Sequence, residues 1–379
     1  MGGLEKTNDD VDCRAIKKDF LKKFKSGDYN VFLELVKKYS DELVLCFRGN
    51  NTDSEAVCIY YNNHLVYKIE DNDNITINFD HARYTPKYWD FWKKITRDYG
   101  FIPIGDRREE EVPKVTVVSK GGGSYDATVG EITACLNENV LKNVENIYYN
   151  CLRPMLIDSF DLSKKRKNDQ FKAIANQYAK YRGKITQTTK KIPLEKIRQQ
   201  QLFYAMKSTQ NGYFSFDMEF SQKSMKDQCK EEIRNQTDML AIRFENGVPK
   251  AYVLVEVKSK KKACNGESGV EKHLIAMEQY SKSSNMTARR REAALIISHY
   301  KELGLYQFPE NIEEADYMEL PVEILFIFTD DAVSKYENEF DKVFEDTGLS
   351  SEYEKKPHGD LGIHLPSCKR LKIVGIEKN

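Results

Sequence analysis

The sequence predicts a mixed α/β protein, with an N-terminal α+β region followed by a C-terminal mixed β-sheet flanked by helices. Three observations carry this prediction. The hydrophobic period changes from helical to alternating near residue 43. The second half reads helix, three strands, helices, strand, an order that packs helices against a mixed sheet. Two of its strands, AYVLVEVK and VEILFIFTD, are apolar enough to be buried.

A chain of 379 residues, 40% hydrophobic and 11% aromatic, is long enough for two domains with folded cores. The composition places a boundary near residue 160, giving an N-terminal domain over 1–160 and a second over 161–379 with its core at about 190–335. Lys+Arg and Asp+Glu balance at 59 each, so any basic surface must be local. The 8 cysteines contain no CxxC pair, which argues against a zinc module. MGGLEKTNDDVD is polar and acidic, unlike a signal peptide, and no apolar run approaches a membrane span. The expectation is a cytoplasmic protein with no membrane partner.

From Val11 to Glu42 the pattern predicts two helices, with Ile16, Phe20 and Phe24 at four-residue spacing before a break at Gly27-Asp28. ELVLCFR, AVCIYY, HLVYKIE and ITINF then read as strands, with a hairpin turn at Asn62-Asn63. A helical stretch after Pro86 carries Trp89 and Trp92, read as core. Gly121 to Gly123 lack the GKS ending and the GxGxxG spacing, so they read as a plain loop. From Thr128 to Ser159 the pattern is mostly helical, broken near Pro154. Between Lys164 and Arg198 stand twelve Lys/Arg against Asp169 and Glu195, with Phe171, Tyr178 and Tyr181 interleaved. Such a run is either a solvated face or an arm that follows a phosphate backbone.

Beyond it, LEKIRQQQLFYAMKST predicts a helix, and YFSFDMEF, TDMLAIRF and AYVLVEVK three strands, the last two joined by a turn at Glu245-Asn246-Gly247. ESGVEKHLIAMEQYS and ARRREAALIISHYKEL read as helices, and LKIVGI as a final strand.

AYVLVEVK ends in charge. With side chains alternating faces, Leu254, Glu256 and Lys258 share one face and Val253, Val255 and Val257 the other. Asp238 opens TDMLAIRF, so a hairpin would bring it beside Glu256. Buried carboxylates must be paired, hydrogen-bonded or bound to a cation. A hard divalent cation suits this pair, because it takes several oxygen ligands and keeps water. Such a cation makes a water nucleophilic near neutral pH, and Lys258 could orient that water and stabilise charge on a phosphate oxygen.

Asp238, seventeen intervening residues, then Glu256-Val257-Lys258, with an apolar strand before the glutamate and a helix after the lysine, resembles the PD-(D/E)XK phosphodiesterase superfamily. Thr237 stands where the family name has proline. The resemblance covers roughly Leu194 to Asp330 and implies a restriction-endonuclease-like fold and a metal-dependent nuclease leaving 5′-phosphate and 3′-hydroxyl ends. It implies Mg²⁺ or Mn²⁺ held by Asp238, Glu256 and the Val257 carbonyl, with Lys258 serving the attacking water. A further acid is Glu195 or Glu219. The implied partner is nucleic acid, DNA before RNA, and cutting both strands of a duplex implies a homodimer. Tyr280 stands where one branch of the family has a tyrosine, but Ala276 replaces that branch's glutamine. His273 on the following helix reads as an ordinary polar residue, while Lys260–Lys262 and Arg289–Arg291 read as phosphate contacts or surface. A nucleic-acid-binding or scaffold protein that keeps the fold without turnover is the alternative, as is a nuclease acting on RNA.

Overall fold

The computed structural model describes residues 13–49, 55–61, 64–78, 95, 98–100, 102–103, 116–120, 124–128, 131–135, 137–160, 194–226, 232–264, 269–283, 285–310, 312–333, 353–356 and 371–377. For the strands between 102 and 135, for 219–226, for 232–236 and for 353–377 the description is of the backbone. Trp89, Trp92, Gly121–Gly123 and the basic run up to Pro193 lie outside the described residues.

The chain separates into two compact units that interleave in sequence. Met1–Leu21, Cys46–Glu55 and Pro193–Asn379 form one, and Lys22–Leu45 with Ala56–Ile192 the other. Helix α1 (Lys18–Ser26) and strand β1 (Leu43–Arg48) are cut by this division.

In the second unit, α2 (Asn30–Lys38) follows the break at Gly27-Asp28 and buries Phe32, Leu33, Leu35 and Val36. Strands β2 (Ala56–Tyr61) and β3 (His64–Glu70) pair antiparallel, Tyr61 with His64, as the hairpin pattern predicts. They join β4 (Asn74–Asn78), β5 (Ile102–Pro103) and β8 (Glu131–Cys135) in the sheet order β1-β2-β3-β4-β8-β5. A separate hairpin pairs β6 (Thr116–Lys120) with β7 (Ser124–Thr128). The helical reading from Thr128 is corrected here, because 131–135 is strand. Helix α3 (Glu138–Ile147) starts where the Asn137 side chain accepts the Val140 N–H at 3.0 Å. Pro154 does not break the helix: a π-turn at Tyr148–Leu152 leads into α4 (Arg153–Phe160), and such a turn accommodates the missing N–H.

The first unit carries α5 (Leu194–Ala205), β9 (Gly212–Lys226), β10 (Glu232–Glu245), β11 (Val248–Lys258), α6 (Val270–Ser281), α7 (Asn285–Glu302), α8 (Ala315–Met318), β12 (Val322–Thr329), β13 (Tyr353–Lys356) and β14 (Leu371–Glu377). Its sheet has the order β13-β14-β12-β11-β10-β9. Only β11 and β12 run parallel; the other registered neighbours are antiparallel, so the sheet is mixed. The apolar runs of β11 and β12 are buried on both faces, as a parallel pair at the centre of a sheet requires. The crossover between them contains α6, α7 and α8.

Asn246 and Gly247 both have positive φ, 49° and 77°, the backbone of a tight hairpin turn between β10 and β11. The pairing is Glu245 with Val248 and Phe244 with Pro249, then Arg243 with Ala251. Lys250 is therefore an extra residue, a bulge beside a proline that cannot donate to the ladder.

Two short segments from the start of the chain belong to this unit because β9 binds them through one buried anion. Asp217 Oδ2 accepts from Arg14 Nη1 and Oδ1 from Arg48 Nη1, each at 2.5 Å, and both guanidinium groups also donate to the Met218 carbonyl. Nearby, Arg289 Nη1 donates to Glu292 Oε2 at 2.8 Å, and the Arg14 backbone N–H donates to Glu292 Oε1. Asp217 is 2% exposed, so its removal leaves two largely covered arginines without their anion. Asp217→Asn is expected to cost about 3–5 kcal/mol of stability by denaturant titration. A loss below about 1 kcal/mol, the range of exposed pairs, would show that the two arginines do not depend on Asp217.

Candidate active site

The charged residues of the sequence pattern meet at one end of β10 and β11. Met239 pairs with Val255, so Asp238, one residue earlier, lies level with Glu256 on the same face. Asp238 Oδ2 accepts the Val257 N–H at 2.7 Å, and Oδ1 accepts from Gln199 Nε2 on α5 at 2.6 Å. Glu256 Oε1 accepts from Lys258 Nζ at 2.6 Å and lies 2.9 Å from His273 Nδ1 on α6. Glu256 Oε2 is buried without a hydrogen-bond partner.

Glu195, in the first turn of α5, completes the cluster. Burial raises its carboxyl above the usual range; Lys258 opposes this, Glu256 adds to it, and a backbone hydrogen bond from Ser259 opposes it. Asp238 is pushed well above the usual carboxylate range, first by burial and then by Glu256, against the Val257 N–H and Lys258. For Lys258 burial lowers the value, but attraction and hydrogen bonding to Glu256, with attraction to Asp238 and Glu195, leave it raised. Three carboxylates thus share one ammonium.

Of the two acids the sequence leaves open, Glu195 is brought to the cluster. Glu219 stands on β9 between Met218, paired with Met239, and Phe220, paired with Thr237, so its backbone lies across from that of Asp238; its side chain is outside the described residues. Val257 is fully buried and its N–H already serves Asp238. Tyr280 is buried beside Arg289 and Glu292, away from the cluster. The phosphate-contact reading of Arg289 is corrected: the residue is buried against Glu292, while Arg291 pairs with Glu314 at 2.7 Å. Lys260, Lys261 and Lys262 are exposed at the strand's end.

Gln199, which the sequence pattern passes over, and His273, which it reads as an ordinary polar residue, touch the carboxylates directly. Gln199 lies four residues after Glu195, on the same face of α5, and that spacing was its only signal. Arg198 on this helix makes a two-pronged contact with Asp330, Nε to Oδ2 and Nη2 to Oδ1, both 2.9 Å.

Among the described residues no group of three or more His, Cys, Asp and Glu side chains has the geometry to hold a metal ion. Mg²⁺ needs no such cage: it is held through one or two carboxylates and keeps several waters. The bare oxygen of Glu256 and the surplus of negative charge fit that demand. No family model, no curated protein and no solved structure matches the chain. Among the described residues no helix is long and apolar enough to cross a membrane.

A carboxyl whose folded value is raised costs stability as pH rises above its unfolded value, about 4.3 for glutamate. Glu195→Gln is therefore expected to raise stability at neutral pH in EDTA by about 0.5–2 kcal/mol, with the gain shrinking towards zero near pH 4. Thermal melts of both proteins across that range test this. A gain independent of pH, or none, would mean that the charge of Glu195 carries no penalty.

Proposed function

We propose that this chain is a metal-dependent nuclease that hydrolyses phosphodiester bonds in DNA, with a restriction-endonuclease-like catalytic unit built on β9–β12, α5 and α6. The observation that carries the reading is the buried cluster of Asp238, Glu256, Glu195 and Lys258, in which Glu256 Oε2 has no partner. Asp238 and Glu256, with the Val257 carbonyl and Glu195 or Glu219, would hold Mg²⁺ or Mn²⁺. When bound, the cation supplies Lewis-acid charge and a more acidic water.

The chain's own residues do the rest. Hydrolysis joins a water oxygen to phosphorus and breaks the bond to the 3′ oxygen, leaving a 5′-phosphate and a 3′-hydroxyl. Lys258, locked to Glu256, presents a fixed positive charge for the phosphate oxygens. Burial of Glu256 and Lys258, each 3% exposed, keeps water from screening that charge. A long polymer is favoured over a small phosphodiester by the two-stranded ribbon of β9 and β10. Past Asp238 these strands go on pairing, Thr237 with Phe220 through Glu232 with Lys226, beyond the last β11 partner. The major groove of DNA admits a two-stranded ribbon. Double-strand cutting would use two copies of the chain.

The test is cleavage of single- and double-stranded DNA and RNA with Mg²⁺, Mn²⁺ or EDTA. Wild type is expected to cut DNA only with metal, and Asp238→Ala and Lys258→Ala each to lose roughly 10²–10³-fold in rate. Cutting that survives both substitutions rejects the site. DNA binding without cutting in either metal assigns the fold to recognition without turnover, and a preference for RNA replaces the substrate.

A further inference from the structure

The nuclease reading, on which this inference rests, gives roles to the acids and the lysine and none to the two side chains from the helices that touch the carboxylates. Gln199 Nε2 lies 2.6 Å from Asp238 Oδ1, and His273 Nδ1 lies 2.9 Å from Glu256 Oε1. They come from different helices, α5 and α6, on either side of the ladder in sequence. We propose that Gln199 and His273 are positioning residues: each takes one oxygen of one carboxylate and thereby sets the direction in which the pair receives a divalent cation.

Gln199 is the partner of Asp238 Oδ1, whereas the His273 contact is not needed simply to pair an oxygen. Glu256 Oε1 already has Lys258 at 2.6 Å, and His273 is a second contact at 2.9 Å. Lys258 Nζ and His273 Nδ1 both lie on Oε1, which leaves Oε2 as the oxygen open to a cation. That is the oxygen with no partner. Asp238 is held at both oxygens, by Gln199 and by the Val257 N–H, so its plane is fixed. Each of its oxygens keeps a second lone pair for a cation.

The supporting elements are tied to their neighbours. The Arg198–Asp330 fork ties the residue beside Gln199 to the end of β12, where Asp330 adopts a φ of 54°. At the other end of α5, Lys207 Nζ sits 3.4 Å from the Phe203 ring centroid and 4.7 Å from that of Phe214. Helix α6 begins at Gly269, which places His273 in the first turns after the motif strand. Partners that orient ligating carboxylates matter nearly as much as the ligands themselves.

The test is Mn²⁺ binding by calorimetry to the full chain, alongside kcat and KM on DNA. His273→Ala and Gln199→Met are expected to weaken Mn²⁺ about 10–100-fold and to lower kcat while KM for DNA stays within a few-fold. His273→Asn, whose amide can stand where Nδ1 stood, is expected to recover most of the Mn²⁺ affinity. Variants that bind Mn²⁺ as tightly as wild type, or His273→Asn no better than His273→Ala, overturn the proposal while leaving the nuclease reading intact. Wild type that binds no Mn²⁺ removes the metal reading itself, and this inference with it. If His273→Ala melts well below wild type, Gln199→Met and His273→Asn carry the comparison.

Discussion

A tight turn at Asn246-Gly247 pairs Glu245 with Val248 and Phe244 with Pro249, and that register carried forward would set Asp238 across from Val255. Residues directly opposite share a face, so Asp238 would then lie with the valines and Glu256 on the other side of the sheet. Lys250 prevents this. As one extra residue in β11 it shifts the pairing to Arg243 with Ala251, and from there Asp238 comes level with Glu256. The meeting of Asp238 and Glu256 on one face depends on that shift. Pro249 is its local cause or accomplice, since a proline leaves a gap in the ladder where a bulge costs least.

Once Asp238 and Glu256 share a face at the end of a buried strand, their charges must be answered. Lys258 answers one oxygen, the Val257 N–H and Gln199 two more, and one is left over. A fold selected for stability alone would place apolar residues here, as it does along the rest of β11. Raised carboxyl values at Asp238 and Glu195 are the signature of the same cost. Sites arranged for chemistry carry perturbed groups of this kind, although ion-pair networks also produce them. Asp217 supplies the contrast within one sheet: buried, it is answered at both oxygens by Arg14 and Arg48, and it leaves nothing for a ligand.

The order of elements along the second half and the charged trio were legible because they rest on period and on charge out of place. The continuous apolar run of β11 announced a central strand, and Glu256 and Lys258 stood out against it. The hairpin turn was legible from Asn-Gly. The bulge was not, because alternation read over so apolar a segment tolerates one extra residue without a visible break in pattern. The helical reading of 131–135 failed for a related reason: EITAC has no strong alternation, and the capping Asn137 that marks the true helix start is one polar residue among several. Arg289 was misread because an arginine in a basic run looks solvated, and only its partner Glu292, three residues on along α7, shows that it is buried.

The division of labour within the cluster explains which residues a sequence reveals. Strands β10 and β11 contribute the ionisable groups, Asp238, Glu256 and Lys258, at places where such residues are abnormal. Helices α5 and α6 contribute Gln199 and His273 at places where a polar residue is ordinary, since a helix packed on a sheet normally shows one polar face. Nothing in composition separates a glutamine that faces solvent from one that faces a carboxylate. Tertiary geometry separates them: the Arg198–Asp330 fork fixes the rotation of α5 about its axis, and that rotation turns Gln199 inward together with Glu195, one turn away. The motif of the strands is therefore half of the arrangement, and the other half becomes visible only when the helices that cover the strand ends are in place.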